Sequence, residues 1–320
     1  MKQDYKTDLI VKIAKMYYEH DLSQQAISER LGLSRPYISK LLIEGKKRGI
    51  IEIRIFDPHE AETSIESELR QMFNLRKAVV IPSIEGSASS VLHRLGVASA
   101  RYINTIVSDN DTIGVTWGVT LYEVSKSLIH REDLKDITIT QLSGGISKIE
   151  KNTYSNEILK KFADAYRGTP YMIPLPAIVD SEQVREAIIK DKNISNVLDI
   201  SMRANIAIFT TGGIGHDSAL VRAEYISPRE IDRLQAEGAV GDLCCRFIDI
   251  NGVVCDKSLN NRTIGIDLND LKSKEYRIAI ATGQNKVMSM LGALRGGYPN
   301  VLITDELNAR ELIALSERIA

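Results

Sequence analysis

The sequence is poor in the residues that build covalent or metal-held frameworks. Its three cysteines, Cys244, Cys245 and Cys255, form no CxxC pair, so no disulfide framework is implied and a reducing, cytoplasmic setting is expected. The five histidines, His20, His59, His93, His130 and His216, form no HxxxH or HExxH pair, which leaves a metal site without support. Tryptophan occurs once, as Trp117, and is expected to pack. Apolar stretches such as residues 278–281 fall far short of the roughly 20 residues that span a bilayer. The first eight residues are polar and lack the apolar core of a secretory signal. Neither a GxSxG elbow nor a GxxxxGK[ST] phosphate loop occurs. Charge of one sign is also missing: 41 Lys and Arg stand against 42 Asp and Glu, a net of −1, which excludes a chain that is basic throughout.

What is present points to a folded protein of two parts. Hydrophobic residues make up 43% and charged residues 26%, enough apolar surface for a core, and 320 residues exceed what one ordinary core takes. The charge is uneven. Residues 1–55 hold eleven Lys or Arg and seven Asp or Glu, a net of +4, while the remainder carries −5. Residues 56–63 are polar, contain Pro58, and read as a linker into a new helix. The division expected is therefore 1–55 and 56–320.

The basic part has the spacing of a helix-turn-helix. Leu9, Ile10, Ile13 and Tyr17 recur at helical intervals. Ser23 stands as an N-cap before residues 24–31, Gly32 closes that helix, and Ser34 caps a second one with Pro36 in its first turn. Ile27, Leu31, Leu33, Ile38 and Leu41 fall at inward positions, Ser28 is small where the helices approach, and Gly32 suits a positive φ. The second helix offers Arg35, Tyr37, Ser39 and Lys40 near the end that meets base edges. Arg35 fits either a guanine edge or a phosphate, and Ser34 and Ser39 fit phosphates. Lys46, Lys47 and Arg48 follow, then residues 50–55 alternate like a β wing.

The larger part reads as α/β. Strands are expected at residues 78–81, 111–115, 137–142, 206–210, 277–281 and 300–304, with helices at 91–106, 119–128, 156–166 and 306–319. Residues 247–255 read as a hairpin turning at Asn251 and Gly252. This alternation argues a parallel sheet covered on both faces, with ligands beyond the carboxyl ends of the strands. Three loops lie at such ends: residues 114–120, residues 281–286, and Ser143-Gly144-Gly145. The first offers backbone N–H groups, hydroxyls and a helix N-terminus, and Lys286 in the second offers a cation, the ingredients of a phosphate site.

Together these residues resemble the SorC family of bacterial sugar-responsive transcriptional regulators, over nearly the whole chain. The resemblance is carried by Tyr17-Tyr18, Ser23-Gln24-Gln25, Ser34-Arg35-Pro36 and Ser39, and then by residues 114–120, 141–145, 152–155, 239–244, 261–265 and 283–286. Within the family the chain looks most like deoxyribonucleoside-operon repressors. The resemblance implies a winged helix-turn-helix joined to an α/β effector domain similar to glucosamine-6-phosphate deaminase, ribose-5-phosphate isomerase and the CoA-transferase-like fold. It implies a phosphorylated sugar as effector with no cofactor, operator DNA as partner, and a homo-oligomer, dimer or tetramer. Carried onto this chain, Gly118, Val119, Thr120 and Lys286 would hold the phosphate, and Ser143, Gly144, Asn152 and Asp242 would face the sugar. Some members place Lys or Arg where Ser143 stands, and serine cannot form a Schiff base with an aldose. The competing reading is a sugar-phosphate isomerase or deaminase with Asp242 as its base. A scaffold protein without a ligand is a third, against which the acidic, glycine-looped second part argues.

Overall fold

The computed structural model describes residues 2–18, 22–51, 62–83, 87–147 and 153–319. Its contacts divide the chain into two compact units, Met1–Ala61 and Glu62–Ala320. The first holds three helices, α1 (Lys2–Tyr18), α2 (Gln24–Leu31) and α3 (Arg35–Lys47). Ile10, Ile13 and Met16 of α1, Ile27 of α2, and Ile38, Leu41 and Leu42 of α3 bury one another in a small core. Leu31 and Leu33, expected inside, are only half-buried at its rim.

The turn between α2 and α3 follows from three small residues. Ser23 Oγ accepts the Ala26 N–H at 3.1 Å and starts α2. Gly32 stops it with φ 65°, a conformation that costs a residue bearing Cβ about 1–2 kcal/mol. Ser28 then ties the turn twice: its carbonyl accepts the Leu33 N–H at 3.2 Å, and its hydroxyl donates to Leu33 O at 2.5 Å. Ser34 occupies the N-cap of α3 as expected, but its hydroxyl makes no capping bond. The expected wing lies outside the described residues beyond Ile51.

The second unit opens with α4 (Ser64–Met72), capped reciprocally by Thr63 and Glu66. The chain then runs through β1 (Lys77–Ile81), α5 (Ala88–Ile106), β2 (Thr112–Val115), α6 (Val119–Lys126), β3 (Thr138–Gln141), α7 (Ser155–Tyr166) and β4 (Thr169–Tyr171). Two helices, α8 (Glu182–Ile189) and α9 (Lys192–Arg203), lead to β5 (Ile206–Phe209). An excursion follows: β6 (Thr211–Gly213), α10 (Ala219–Arg222), α11 (Pro228–Ala236), β7 (Gly241–Leu243), β8 (Arg246–Ile248), α12 (Lys257–Asn261) and α13 (Leu268–Lys272). The chain re-enters as β9 (Tyr276–Ile280), α14 (Val287–Arg295), β10 (Val301–Asp305) and α15 (Glu306–Ile319). Seven strands form one parallel sheet in the order β1-β10-β9-β5-β2-β3-β4, while β6, β7 and β8 form a small antiparallel sheet.

Side chains alternate between two cores, as a sheet covered on both faces demands. Ile113, Val115, Ile206, Ile208, Ile278 and Ile280 enter one core with α5, α6 and α7. Ala207, Phe209, Ala279 and Leu302 enter the other, with Leu291 of α14 and Leu312 of α15. The expected strands and main helices are present with small shifts at their ends; α5 begins at Ala88, not residue 91, because Ser87 Oγ caps it through the Ser90 N–H. The hairpin at residues 247–255 keeps its turn, with Gly252 N–H on Asp249 O at 3.0 Å, but its ladder shrinks to a bridge between Ile248 and Val254. Strand β4, unannounced in the sequence, contains Pro170 and lies at the sheet edge, where a missing N–H is tolerated. Strands β6 and β7 are three residues long, too short for any periodicity.

From β2 the chain moves outward to β3 and β4, and from β5 it moves the other way to β9. The connections part between these neighbours, which opens a crevice at their carboxyl ends.

Candidate functional site

Four strand ends meet at this crevice. At the end of β2, the Thr116 N–H donates to Ile208 O at 3.1 Å and the Gly118 N–H to Thr153 O at 2.9 Å. These two N–H groups, which the sequence left free, are therefore occupied. Val119 and Thr120 open α6, where the first N–H groups have no acceptor within a helix. The Val119 side chain is exposed, whereas Thr120 is buried. Its Oγ1 lies 3.3 Å from Nζ of Lys286, which donates to it. Lys286 ends a 3₁₀ turn after β9, two strands away from β2. Burial holds its ammonium below the ordinary lysine range; Asp242 opposes that shift and Arg222 adds to it. The loop before Lys286 is pinned from β10: Thr282 Oγ1 donates to Asp305 Oδ2 at 2.6 Å, and Asn308 Nδ2 donates to Gly283 O at 3.3 Å.

Asp242 projects from β7. Its Oδ2 accepts the Cys245 N–H at 3.1 Å, and a Cβ on Gly212 of β6 would lie 1.8 Å from Oδ1, so only glycine allows this approach. Burial pushes its carboxyl up to about 6, against the Cys245 bond and the Lys286 charge. No direct ion pair joins Asp242 to Lys286 among the described residues. Cys244 and Cys245, with φ 51° and 65°, make the two-residue turn from β7 to β8. Such turns favour Asn-Gly, so these buried thiols hold a strained backbone beside the carboxylate. Burial pushes the Cys244 thiol up to about 12 and the Cys245 thiol well above its usual range, so both stay protonated.

The loop after β3 forms a wall. Ser143 is fully buried, with the Cys245 thiol 3.9 Å from its Oγ. The Gly144 N–H donates to Ile264 O at 3.0 Å and the Gly145 N–H to Leu175 O at 3.0 Å, so neither is free. Trp117 packs as expected and also clamps this loop, its Nε1–H donating to Gly144 O at 2.8 Å. Tyr225 lies 6.0 Å from its ring and donates to Ile146 O at 2.6 Å. Thr153 Oγ1 donates to Gly145 O at 2.9 Å. Asn152 lies outside the described residues. Two buried hydroxyls at the ends of β2 and β5, Thr116 Oγ1 and Thr211 Oγ1, have no hydrogen-bond partner among the described residues. Leaving such a group unpaired costs about 1–3 kcal/mol, so the crevice has polar capacity that the protein itself does not fill. Sequence reasoning missed Thr211 and Arg222. Neither sits in a motif: Thr211 follows the end of β5, and Arg222 ends α10 of the excursion, where its charge acts on Lys286.

In the first unit Ser34, Arg35, Tyr37 and Lys40 are exposed and Ser39 is half-buried, while Ile38 and Leu41 of the same helix face the core. Lys46, Lys47 and Arg48 are exposed at its far end. No group of three His, Cys, Asp or Glu that could hold a metal occurs among the described residues.

A family profile described as "Putative sugar-binding domain" matches residues 57–314. A deoxyribonucleoside regulator of Bacillus subtilis (strain 168) is 39% identical over 96% of this chain and 98% of its own length. A sorbitol operon regulator of Klebsiella pneumoniae is 31% identical over 95% of this chain and 97% of its own. The crystal structure of the full-length sorbitol operon regulator SorC from Klebsiella pneumoniae superposes with a TM-score of 0.73 at 29% identity, over 96% of this chain and 99% of that one. A domain described as that of "a possible sugar-binding transcriptional regulator" from Arthrobacter aurescens TC1 gives 0.72 at 28% identity, over 81% of this chain and all of that one.

Proposed function

This chain belongs to the sugar-binding-domain family of SorC-type regulators, and we propose that it is a DNA-binding repressor of a carbohydrate or deoxyribonucleoside catabolic operon, released or tightened by a phosphorylated sugar. The observation that carries the ligand half is the contact of Lys286 Nζ with Thr120 Oγ1 at the start of α6. An ammonium, a hydroxyl and the first N–H groups of a helix converge there, which is what a phosphate dianion needs. Val119, Thr120 and Lys286 hold the phosphate in this reading, at the helix start that Gly118 opens with its own N–H already given to Thr153 O, and the charge of Arg222 reinforces them. Asp242 accepts sugar hydroxyls, with Ser143 and Gly144 as the wall beside it and Asn152 completing the set. With serine at 143 the sugar is held without a covalent bond there. The effector domain, residues 56–320, is then of the glucosamine-6-phosphate deaminase and ribose-5-phosphate isomerase type. The relatives named above are regulators, so the isomerase or deaminase reading has no counterpart among them.

Residues 1–55 form the winged helix-turn-helix of this reading. Helix α3 enters the major groove, Arg35, Tyr37 and Lys40 face the bases, and Ser34 and Ser39 hold phosphates. The protein acts in the cytoplasm as a homo-oligomer whose paired first units meet two half-sites.

A thermal-shift screen against aldose, ketose and deoxyaldose phosphates, each with its free sugar as control, tests the ligand half. A ligand bound only by the native state stabilises by about 2.7 kcal/mol at a hundredfold excess over Kd. A shift with one phosphosugar and none with its free sugar is expected. No shift with any of them removes Thr120 and Lys286 as a phosphate site.

A further inference from the structure

The outer face of α7 and the last strand of the sheet form a surface that none of these roles uses. Along α7 the residues Asn156, Lys160 and Asp164 are exposed one turn apart on a single stripe, and Arg167 continues it. Beside them β4 ends the seven-stranded sheet. An open groove of about 660 Å³ lies between helix and strand, with Pro170 and the exposed Met172 on its far wall. Thr169 turns its N–H inward to Ile137 O at 2.8 Å, and Pro170 has none to turn outward. The free edge of β4 thus lacks the donor that an added strand would use. Whatever covers this face binds it through side chains.

The charges select the occupant. Lys160 and Asp164 have no ion-pair partner among the described residues, and the sign alternates from Lys160 to Asp164 to Arg167. A uniformly charged partner such as nucleic acid would be repelled at every second position. The stripe is instead complementary to its own antiparallel image. With a two-fold axis crossing α7 midway between the two residues, about 6 Å apart along the helix, Lys160 meets Asp164 of the partner subunit and Asp164 meets Lys160 of the partner subunit. We propose that this face is a two-fold interface between two copies of the chain, with Pro170 and Met172 as its apolar flank. It rests on the self-association proposed above and gives it a place. The same helix touches the candidate site, because Ser155 Oγ accepts from Gln141 Nε2 at 2.7 Å and the neighbouring Thr153 holds Gly145.

The test is the mass of the full-length protein by sedimentation across a concentration series. Lys160→Asp and Asp164→Lys each set like charges against each other twice by symmetry. Each is expected to raise the self-dissociation constant about tenfold or more, halving the mass at a fixed concentration. The double variant Lys160→Asp/Asp164→Lys restores opposite charges and is expected to restore the mass. The phosphosugar thermal shift, retained in all three, shows that they are folded and keeps the effector reading separate. An oligomer whose mass survives both single reversals overturns this interface alone, as does a double variant that stays dissociated. A wild type that is monomeric throughout overturns the self-association as well.

Discussion

Two opposed, half-buried charges set the chemistry of the crevice. Lys286 has a hydroxyl partner in Thr120 but no anion within ion-pair distance among the described residues, and burial has already removed much of its water. Lys286→Met keeps the bulk and removes the charge, so phosphosugar binding is expected to weaken at least tenfold in calorimetric titration, with operator binding retained. Asp242 behaves oppositely. Its carboxyl titrates near 6 in the fold against an ordinary 3.8, because burial disfavours the charged form. A raised folded value means that this group's stability contribution is present below about 3.8 and lost as pH rises through about 6. Asp242→Asn is therefore expected to stabilise the ligand-free protein at pH 7 by about 1–3 kcal/mol, with the difference vanishing near pH 4. Thermal unfolding at the two pH values reads it directly. Residue patterning marked Asp242 only as a loop residue; its place in one site with Lys286, 44 positions further on, came from the family resemblance, and the mutual effect of the two charges from the fold.

At the scale of elements, the legible parts were those whose signals are local. The turn between α2 and α3 was one, because Ser23, Ser28 and Gly32 each act within five residues. Gly32→Ala is expected to cost about 1–2 kcal/mol from its φ of 65° alone, since open space surrounds the site, and Gly32→Asn less. Ser28→Ala loses the bond to Leu33 O and about 1 kcal/mol. Hydrogen exchange should show both losses as reduced protection across α2 and α3. The excursion between β5 and β9 was the illegible part. Its strands are three residues long, two of them glycine-bearing, and its Cys244-Cys245 turn lacks the usual residues. Helices α8 and α9 did carry signals, the N-caps Ser181 and Asp191, whose side chains bond the first N–H groups.

The whole molecule consists of two units with separate cores, which makes their functions separable by mutation. Arg35→Ala is expected to weaken operator binding about ten- to a hundredfold while leaving the phosphosugar thermal shift intact. Gel-shift and thermal-shift assays on one preparation check both halves, and loss of sugar binding in that variant would contradict the two-unit division of labour. The amino-acid sequence by itself determined the helices of the first unit and the strand–helix alternation with its glycine loops in the second, while the division expected after residue 55 falls after Ala61 in the fold. Those features rest on periodicity and capping, which act over a few residues. Tertiary structure alone decided the strand order that sets β5 between β2 and β9 and puts Lys286 Nζ on Thr120 Oγ1. It also decided that the N–H groups of Gly118, Gly144 and Gly145 are already taken. The reason is physical: parallel neighbours lie far apart in the chain, and their order depends on which faces can be buried together, a property no single segment contains.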